Sequence, residues 1–281
     1  KENFRIAVNS VRSNLLRTIL TVLIIAFGIM ALVGILTAID SIKSSLTSQF
    51  TSMGANTFTI QNLELQIQRG GARQIHNKYI SFHEAMEFKD EFDFPAMVSV
   101  SVFASSMATV KYKSEKTNPN IPVTGIDENY LTTSGYEIQL GRNFTDQEIR
   151  LNKNYVIIGS ELASSLFKNN ENPLNKTIRI GSGKYEVIGV LKEKGTSMAN
   201  SGDKICLLPL TNVRLYFGFP EMSYTISVMP EDPEKTDIAI SEAEGLFRRI
   251  RNLKLADESN FDIATSDNIA NMMFENIQYV T

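Results

Sequence analysis

The 22-residue run from Thr18 to Ile39 contains no charged side chain. About 20 apolar residues, each rising about 1.5 Å along a helix, cover the roughly 30 Å hydrocarbon core of a membrane. A cleaved signal peptide and a buried helix of a soluble domain are the alternatives. The run is longer than the apolar core of most signal peptides, and no small-residue cleavage pattern follows it. The sequence therefore predicts a membrane-spanning helix over residues 18–39.

The flanks of this run predict its orientation. The preceding segment contains four bases and one acid: Lys1, Arg5, Arg12, Arg17 and Glu2. One acid and one base follow the run, Asp40 and Lys43. Because basic flanks stay in the cytoplasm, we expect a cytoplasmic N-terminus and a main domain outside.

Residues 1–17 also place apolar residues on one helical face, which predicts an amphipathic elbow helix at the inner membrane surface. A helical cytoplasmic stub is the alternative.

Small residues recur along one side of the membrane run, at Gly28, Ala31, Gly34 and Ala38. At 100° per residue they fall on one face, where another helix can approach the backbone closely. This pattern predicts a packing face for a second membrane helix. The alternative is that glycine and alanine are simply common in membrane helices.

The helical pattern continues beyond the membrane run. Apolar residues recur at steps of three and four: Ile42, Leu46, Phe50 and Met53. Gly54 stands where a helix would end. Residues 40–54 are therefore predicted to form an amphipathic stalk helix outside the membrane.

A second helix is predicted at residues 266–281. Its apolar positions include Ile269, Met273 and Ile277. No glycine, proline or charged cluster ends this pattern, so we expect the native chain to continue, back into the membrane. Both stripes adjoin the outer domain and lie beyond the lipid. We expect the outgoing and returning stalk helices to pack against each other, within one subunit or across a dimer.

The residues between the two stalk helices alternate between strand and helix patterns. Ser81 and Glu84 form a capping box before an apolar helix pattern. A long helix is predicted near residues 233–253, and the charges around Arg248, Arg249 and Arg251 are predicted to form its solvated face. The pattern predicts a mixed α and β domain.

Composition and motifs argue against several functions. The chain has 28 basic and 31 acidic residues, of which four bases and one acid lie in residues 1–17. The rest of the chain therefore has a net charge of about −6, which does not favour binding to nucleic acid. The lone Cys206 lies in the apolar strand pattern ICLLPL, so neither an intramolecular disulfide nor a thiol nucleophile is expected. His76 and His83 lack companions at zinc-site spacing. The string GSGK resembles part of a phosphate-binding loop, but it lacks the glycine five residues before Gly183, and Tyr185 stands where that loop has Ser or Thr. No helix pattern follows it, so the string predicts a hairpin turn. No catalytic residue, metal site or cofactor is predicted.

Three segments carry a family resemblance: ENFRIAVNSVRSNLLRTILTVLIIAFGI, VTGIDENYLTTSGYEIQLGRNF and VIIGSELASSLFKNNENPLNKTIRIGSGKYEVIGVL. In this order and spacing the chain resembles the permease subunits of MacB-like and LolC/LolE-like ABC transporters, within the FtsX-like superfamily. The resemblance covers nearly the whole chain. The further membrane helices, coupling loop and nucleotide-binding domain of such proteins have no counterpart in this sequence.

The resemblance implies a membrane-anchored α+β fold, in which one transmembrane helix extends into a stalk and a two-lobed mixed α/β periplasmic domain follows. The expected divisions are an elbow at 1–17, a transmembrane helix at 18–39, a stalk at 40–54, a core domain at 55–265 and a returning stalk helix at 266–281. An inserted, mainly β lobe is expected at about 114–220.

The implied function is that of a non-catalytic permease subunit in the bacterial inner membrane, which works by mechanotransmission. Its expected partners are a cytoplasmic ABC ATPase, a second permease subunit in a homodimer or heterodimer, and a periplasmic adaptor. The cargo would be a lipoprotein, peptide or drug. An FtsX-like or sensor-type signalling protein, acting on a partner outside the cytoplasm, is the alternative. A sensor would continue into a cytoplasmic signalling domain, whereas a transporter would have further membrane helices.

Overall fold

A computed structural model describes residues 15–52, 57–62, 78–168, 171–194, 203–219, 221–254 and 256–265. The chain divides after Gln49 into two compact units, Lys1–Gln49 and Phe50–Thr281. Within the first helix, side chains are described for residues 16–35 and 37.

The first helix, α1, spans Leu15–Ser52 without interruption. Its portion from Leu16 to Ile35 is long and apolar enough to cross a membrane. None of the side chains in that portion is buried. The helix thus runs from the predicted membrane segment through nearly all of the predicted stalk.

The second unit contains a mixed sheet with helices, which agrees with the predicted fold class. Its described strands are β1 Phe58–Asn62, β2 Ala96–Ala108, β3 Val110–Tyr112, β4 Glu115–Lys116, β5 Ile121–Ile126, β6 Ile138–Gly141, β7 Tyr155–Ile158, β8 Thr177–Ile180, β9 Gly183–Leu191, β10 Cys206–Pro209, β11 Tyr224–Pro230 and β12 Phe261–Thr265. Its described helices are α2 Phe82–Glu91, α3 Tyr130–Thr133, α4 Asp146–Arg150, α5 Ser160–Leu166, α6 Leu210–Tyr216 and α7 Thr236–Ile250, with a 3₁₀ turn at Pro233–Lys235 before α7.

The described strands form one sheet in the order β12-β1-β11-β2-β5-β10-β7-β9-β8-β3-β4, and β6 pairs with β9. The β5–β10 and β7–β9 pairs are parallel, whereas the pairs from β12 to β5 are antiparallel. The register between β2 and β5 shifts twice, between Phe103 and Ser105 and between Ser105 and Ala108. Such bulges bend a strand and increase its twist. The strands of the expected inserted lobe, β4 to β10, all lie on the β5 side of β2; the lobe boundaries stay a prediction.

An aromatic cluster joins the two long helices of the domain to the sheet. Phe88 of α2 meets Phe247 of α7 edge to face, with ring centroids 5.9 Å apart, and Phe247 meets Phe261 of β12 at 4.8 Å. Phe88 and Phe247 have no solvent exposure. Burying each such side chain contributes roughly 1.5–3 kcal/mol, so this cluster holds α2 and α7 on one face of the sheet.

Two predictions from local motifs are confirmed. The Ser81 hydroxyl accepts from the backbone N–H of Glu84, whose carboxylate accepts in return from the Ser81 backbone, so α2 begins at the predicted capping box. The GSGK string forms the β8–β9 hairpin, with Gly181 at φ +57° in its turn. Because strand β9 begins at Gly183, this loop has no helix N-terminus with which to bind phosphate.

For Arg251 the prediction of a solvated face is wrong. Its side chain has no exposure, and its guanidinium donates to the backbone oxygens of Asn260 and Lys78 at 2.8 and 2.9 Å. The same group lies 5.0 Å from the centre of the Phe247 ring. Burial lowers the pKa of Arg251, and the Glu84 carboxylate, 3.7 Å from its Nε, opposes that shift. The last arginine of the run therefore anchors α7 to the segment before α2.

A second capping box, at the start of α4, leads to a pH-dependence prediction. Both guanidinium nitrogens of Arg142 donate to Glu148, at 2.8 and 2.6 Å, and hold the pKa of Glu148 at about 2. The stability gained from this lowered pKa is present above about pH 4.5 and is lost as the pH falls through about 2. Glu148→Gln keeps a side chain that can complete the capping box but removes the negative charge that Arg142 stabilises. We therefore expect this variant to be less stable than wild type at pH 6, with the difference shrinking below pH 4.5.

Chemical denaturation at a series of pH values measures this difference. Glu137→Gln, which removes a carboxylate 70% exposed beside Lys192, serves as the control and should show a smaller difference at every pH. A stability difference for Glu148→Gln that stayed constant from pH 6 to pH 2.5 would contradict the assignment.

Candidate functional site

The described part of the chain offers little for catalysis or metal binding. It contains no group of three or more histidine, cysteine, aspartate or glutamate side chains that could hold a metal ion. Cys206 in β10 is fully buried, and burial raises the pKa of its thiol, which disfavours the nucleophilic thiolate. His83 is exposed on α2, and His76 lies outside the described residues.

The predicted membrane packing face lies along α1. Gly28, Ala31 and Gly34 are exposed. Among the described residues, and apart from the backbone of the helix itself, no atom lies within 4 Å of a methyl group placed on Gly28 or Gly34. Ala38 is on the same helix, but its side chain lies outside the described part. Packing of a second helix on this face stays a prediction.

The predicted stalk residues are only partly described. Ile42, Leu46 and Phe50 belong to α1, but their side chains lie outside the described part of the structure. Four further predicted residues lie wholly outside the described ranges: Met53, Ile269, Met273 and Ile277. Packing between the two stalk stripes therefore stays a prediction.

A partly buried ionic cluster, which the sequence analysis missed, joins α2 to the segment after β5. The ammonium of Lys89 lies 2.6 Å from an oxygen of Asp127 and 2.7 Å from one of Glu128. The Asp127 side chain is only 4% exposed and that of Lys89 only 16%. We call Lys89, Asp127, Glu128, Asn129 and Asn143 the ionic junction, because hydrogen bonds connect all five.

Backbone donors complete the coordination of Asp127. Its Oδ2 accepts from the Val100 N–H of β2 at 2.8 Å, and its Oδ1 accepts from the Asn129 N–H at 3.2 Å. The Asn129 amide donates to the Val98 carbonyl at 2.8 Å. Strand β2 is thereby tied at two points to the segment that follows β5.

The remaining bonds extend the junction to the segment before α4. The side-chain amide of Asn143 donates to the carbonyl of Glu128 at 2.8 Å. Burial disfavours the charged form of Lys89, but attraction to Asp127 and Glu128 outweighs it and raises the pKa of Lys89. Burial raises the pKa of Asp127, and the charge of Lys89 opposes that shift. The ionic junction ties together α2, β2, the segment after β5 and the segment before α4.

A pair of buried hydroxyls connects the neighbouring helix α3 to the sheet. The hydroxyls of Ser99 in β2 and Thr133 in α3 lie 2.8 Å apart. The Thr133 carbonyl accepts from the hydroxyl of Thr57, immediately before β1, at 3.3 Å. Thr57, which leads into β1, is thus hydrogen-bonded to α3.

The ionic junction lies largely within VTGIDENYLTTSGYEIQLGRNF, one of the segments that carry the family resemblance. The available signal was an acidic pair, Asp127 and Glu128, directly after the apolar strand IPVTGI. A lysine in the capped α2 helix was visible too. Nothing in the sequence pairs Lys89 with a carboxylate 38 residues away, however, because that contact depends on how α2 lies on the sheet.

The model of the MacB-like periplasmic core domain matches residues 18–246. A macrolide export ATP-binding/permease protein MacB from Chlorobium phaeobacteroides is 27% identical over 274 residues, which are 97% of this chain and 40% of that protein. The protein of the same name from Psychrobacter arcticus is 28% identical over 213 residues, 75% of this chain and 31% of that protein. The chain thus spans less than half the length of these relatives.

Two solved structures share the fold. The periplasmic region of MacB from Actinobacillus actinomycetemcomitans superimposes with a TM-score of 0.62 at 20% identity, covering 81% of this chain and 97% of that one. The extracellular domain of the ABC-type transporter YknZ from Gram-positive bacteria gives a TM-score of 0.57 at 24% identity, covering 75% of this chain and all of that one. Because the family model matches most of this chain, residues 18–246, the chain belongs to the family of MacB-like periplasmic core domains.

Proposed function

We propose that the chain is part of the permease subunit of an ABC transporter, which couples ATP hydrolysis in the cytoplasm to movement of its periplasmic domain. The observation that carries this proposal is the continuous helix α1, which runs from the apolar segment Leu16–Ile35 to Ser52, six residues before β1 begins. A single unbroken helix is a stiff connection, because each backbone hydrogen bond along it resists bending. Movement imposed on the membrane segment is then passed to the sheet domain.

The ionic junction supplies the next stiff element in this proposal. The Thr57–Thr133 hydrogen bond links the residue before β1 to α3, and the junction links the segment before α3 to β2 and α2. Hydrogen bonds and ion pairs that are shielded from water hold a specific arrangement of the segments that they join. The periplasmic domain would therefore respond to the stalk largely as a body.

The membrane face of Gly28, Ala31, Gly34 and Ala38 would pack against another membrane helix, in the same subunit or in a second permease subunit. The stalk stripe of α1 would pack against the returning stripe of residues 266–281. ATP would be bound by a separate ATPase subunit or by another domain of the same protein. The names of the MacB relatives combine ATP binding and permease in one protein.

The proposed location is the bacterial inner membrane, with the N-terminus in the cytoplasm and the sheet domain in the periplasm. The cargo would be an exported molecule such as a drug, lipoprotein or peptide. A periplasmic adaptor would receive it from the permease. The basic flank before the apolar helix supports this orientation.

Cysteine labelling tests the orientation on which this proposal depends. We expect a membrane-impermeant maleimide to label Ser182→Cys, in the exposed β8–β9 turn, in intact spheroplasts. Ser13→Cys should react only after permeabilisation. Cys206 is fully buried in the folded domain, so the natural thiol should contribute little background. Protection of Ser182→Cys together with labelling of Ser13→Cys in intact spheroplasts would overturn the proposed topology.

A further inference from the structure

We propose that a groove at one end of the β2–β11 pair binds a small organic ammonium ion that carries an apolar group. The groove has a volume of about 410 Å³ and is lined by Phe92, Met97 and Met229, with Lys89, Asn129 and Glu231 among its polar residues. Sites for small ligands have volumes of roughly 300–1,000 Å³ and combine an apolar lining with a few polar groups.

The apolar part of the groove is held by neighbouring strands and by an aromatic stack. Met97 and Met229 are directly paired in the antiparallel β2–β11 register. Just beyond the pair, the Glu231 N–H donates to the Pro95 carbonyl at 3.1 Å, which fixes the end of the groove. The Phe92 ring stacks on Phe88 with centroids 5.0 Å apart. The groove therefore exists before any ligand arrives, so a ligand would not have to order it.

The charges around the groove favour a cation. Lys89 is the only base among the groove's lining residues, and Asp127 and Glu128 already neutralise its ammonium. Glu231 has no ion-pair partner among the described residues, and it is exposed. Together these four side chains carry one positive and three negative formal charges. An anion would be repelled, whereas an ammonium ion would gain a partner in Glu231.

The apolar side chains among the groove's lining residues favour an aromatic group on that cation. Thioether sulfurs of methionine make favourable contacts with aromatic rings, and Met97 and Met229 both line the groove. The structure thus points to arylalkyl ammonium ions in preference to neutral or anionic molecules of the same shape.

Methyl NMR of the full chain in detergent micelles provides the test. With methionines carrying ¹³C-labelled methyl groups, Met97→Leu and Met229→Leu assign the two groove signals among the ten methionines of the chain. We expect 2-phenylethylammonium to shift both signals in a saturable manner, and 2-phenylethanol and phenylacetate to bind more weakly. An absence of saturable shifts at both methyl groups, or tighter binding of phenylacetate, would overturn the proposal.

A charge variant and a matched control test the role of the Glu231 carboxylate. Glu231→Gln should weaken binding of 2-phenylethylammonium about threefold to fivefold, as expected for a partly exposed ion pair, and should leave binding of 2-phenylethanol unchanged. Glu234→Gln, which removes an exposed acid three residues further along, should leave both affinities unchanged. Equal affinity of wild type and Glu231→Gln for 2-phenylethylammonium would refute the assigned role of this carboxylate.

Discussion

Replacing Asp127 with alanine is expected to lower the free energy of unfolding of the sheet domain by about 3–5 kcal/mol, the usual effect of removing one partner from a buried ion pair. The substitution leaves the Lys89 ammonium, 16% exposed, with Glu128 as its remaining carboxylate. It also removes the acceptor of the buried Val100 N–H, which costs about 1–3 kcal/mol when left unsatisfied. Because Glu128 keeps Lys89 partly paired, the loss should fall towards the lower end of this range.

Two matched variants separate these contributions. Asp127→Asn keeps an oxygen that can accept from Val100 but removes the charge, so it should destabilise the domain less than alanine does. Asp146→Ala breaks an exposed pair with Arg150 on α4, in which the side chains are 51% and 77% exposed, and should cost less than about 1 kcal/mol.

Urea denaturation followed by tyrosine fluorescence measures these differences, since the chain contains nine tyrosines and no tryptophan. If Asp127→Ala and Asp146→Ala had the same unfolding midpoint, the ionic junction would not stabilise the sheet domain more than an exposed ion pair does.

Local patterns in the sequence were sufficient for several elements. The uncharged run predicts the apolar part of α1, Ser81 and Glu84 predict the start of α2, and the glycines of GSGK predict the β8–β9 hairpin. In each case the residues that determine the element are close together in sequence. Their hydrogen bonds and side-chain directions follow from a helical or two-residue period, without knowledge of the rest of the fold.

The contacts that organise the candidate site could not be predicted in this way. Arg251 was assigned to a solvated face because arginine beside two other charges on a helix is usually exposed. It is buried because its guanidinium reaches the carbonyl of Lys78, 173 residues away in sequence, which only the packed sheet brings near. The pairing of Lys89 with Asp127 is likewise a consequence of tertiary structure. So is the strand order, in which β5 and β10 become parallel neighbours.

Replacing Leu46 with aspartate is expected to abolish export by the assembled transporter while ATP hydrolysis continues. Leu46 is a central position of the predicted stalk stripe, with Ile42 and Phe50 one turn away on the same face of α1. Burying each such side chain against the returning stalk helix would contribute roughly 1.5–3 kcal/mol. A carboxylate at Leu46 would remove one of these contributions and add the cost of desolvating a charge. The stalk helices would separate, and movement in the membrane would no longer reach the sheet domain.

Ser45→Asp provides the matched control for this prediction. Ser45 precedes Leu46 by one residue, and successive positions on an α-helix are about 100° apart around its axis. The same charge is then added to the polar side of the predicted stalk, where water can solvate it. We expect export by this variant to stay close to the wild-type rate.

The most direct test of stalk-mediated coupling measures ATP hydrolysis and substrate export in the same proteoliposomes, containing the full-length transporter with its ATPase. We predict that Leu46→Asp hydrolyses ATP at close to the wild-type rate without exporting substrate, whereas Ser45→Asp does both. Export by Leu46→Asp at the wild-type rate, with equal amounts of protein in the membrane, would contradict the proposal that the α1 stalk transmits the movement.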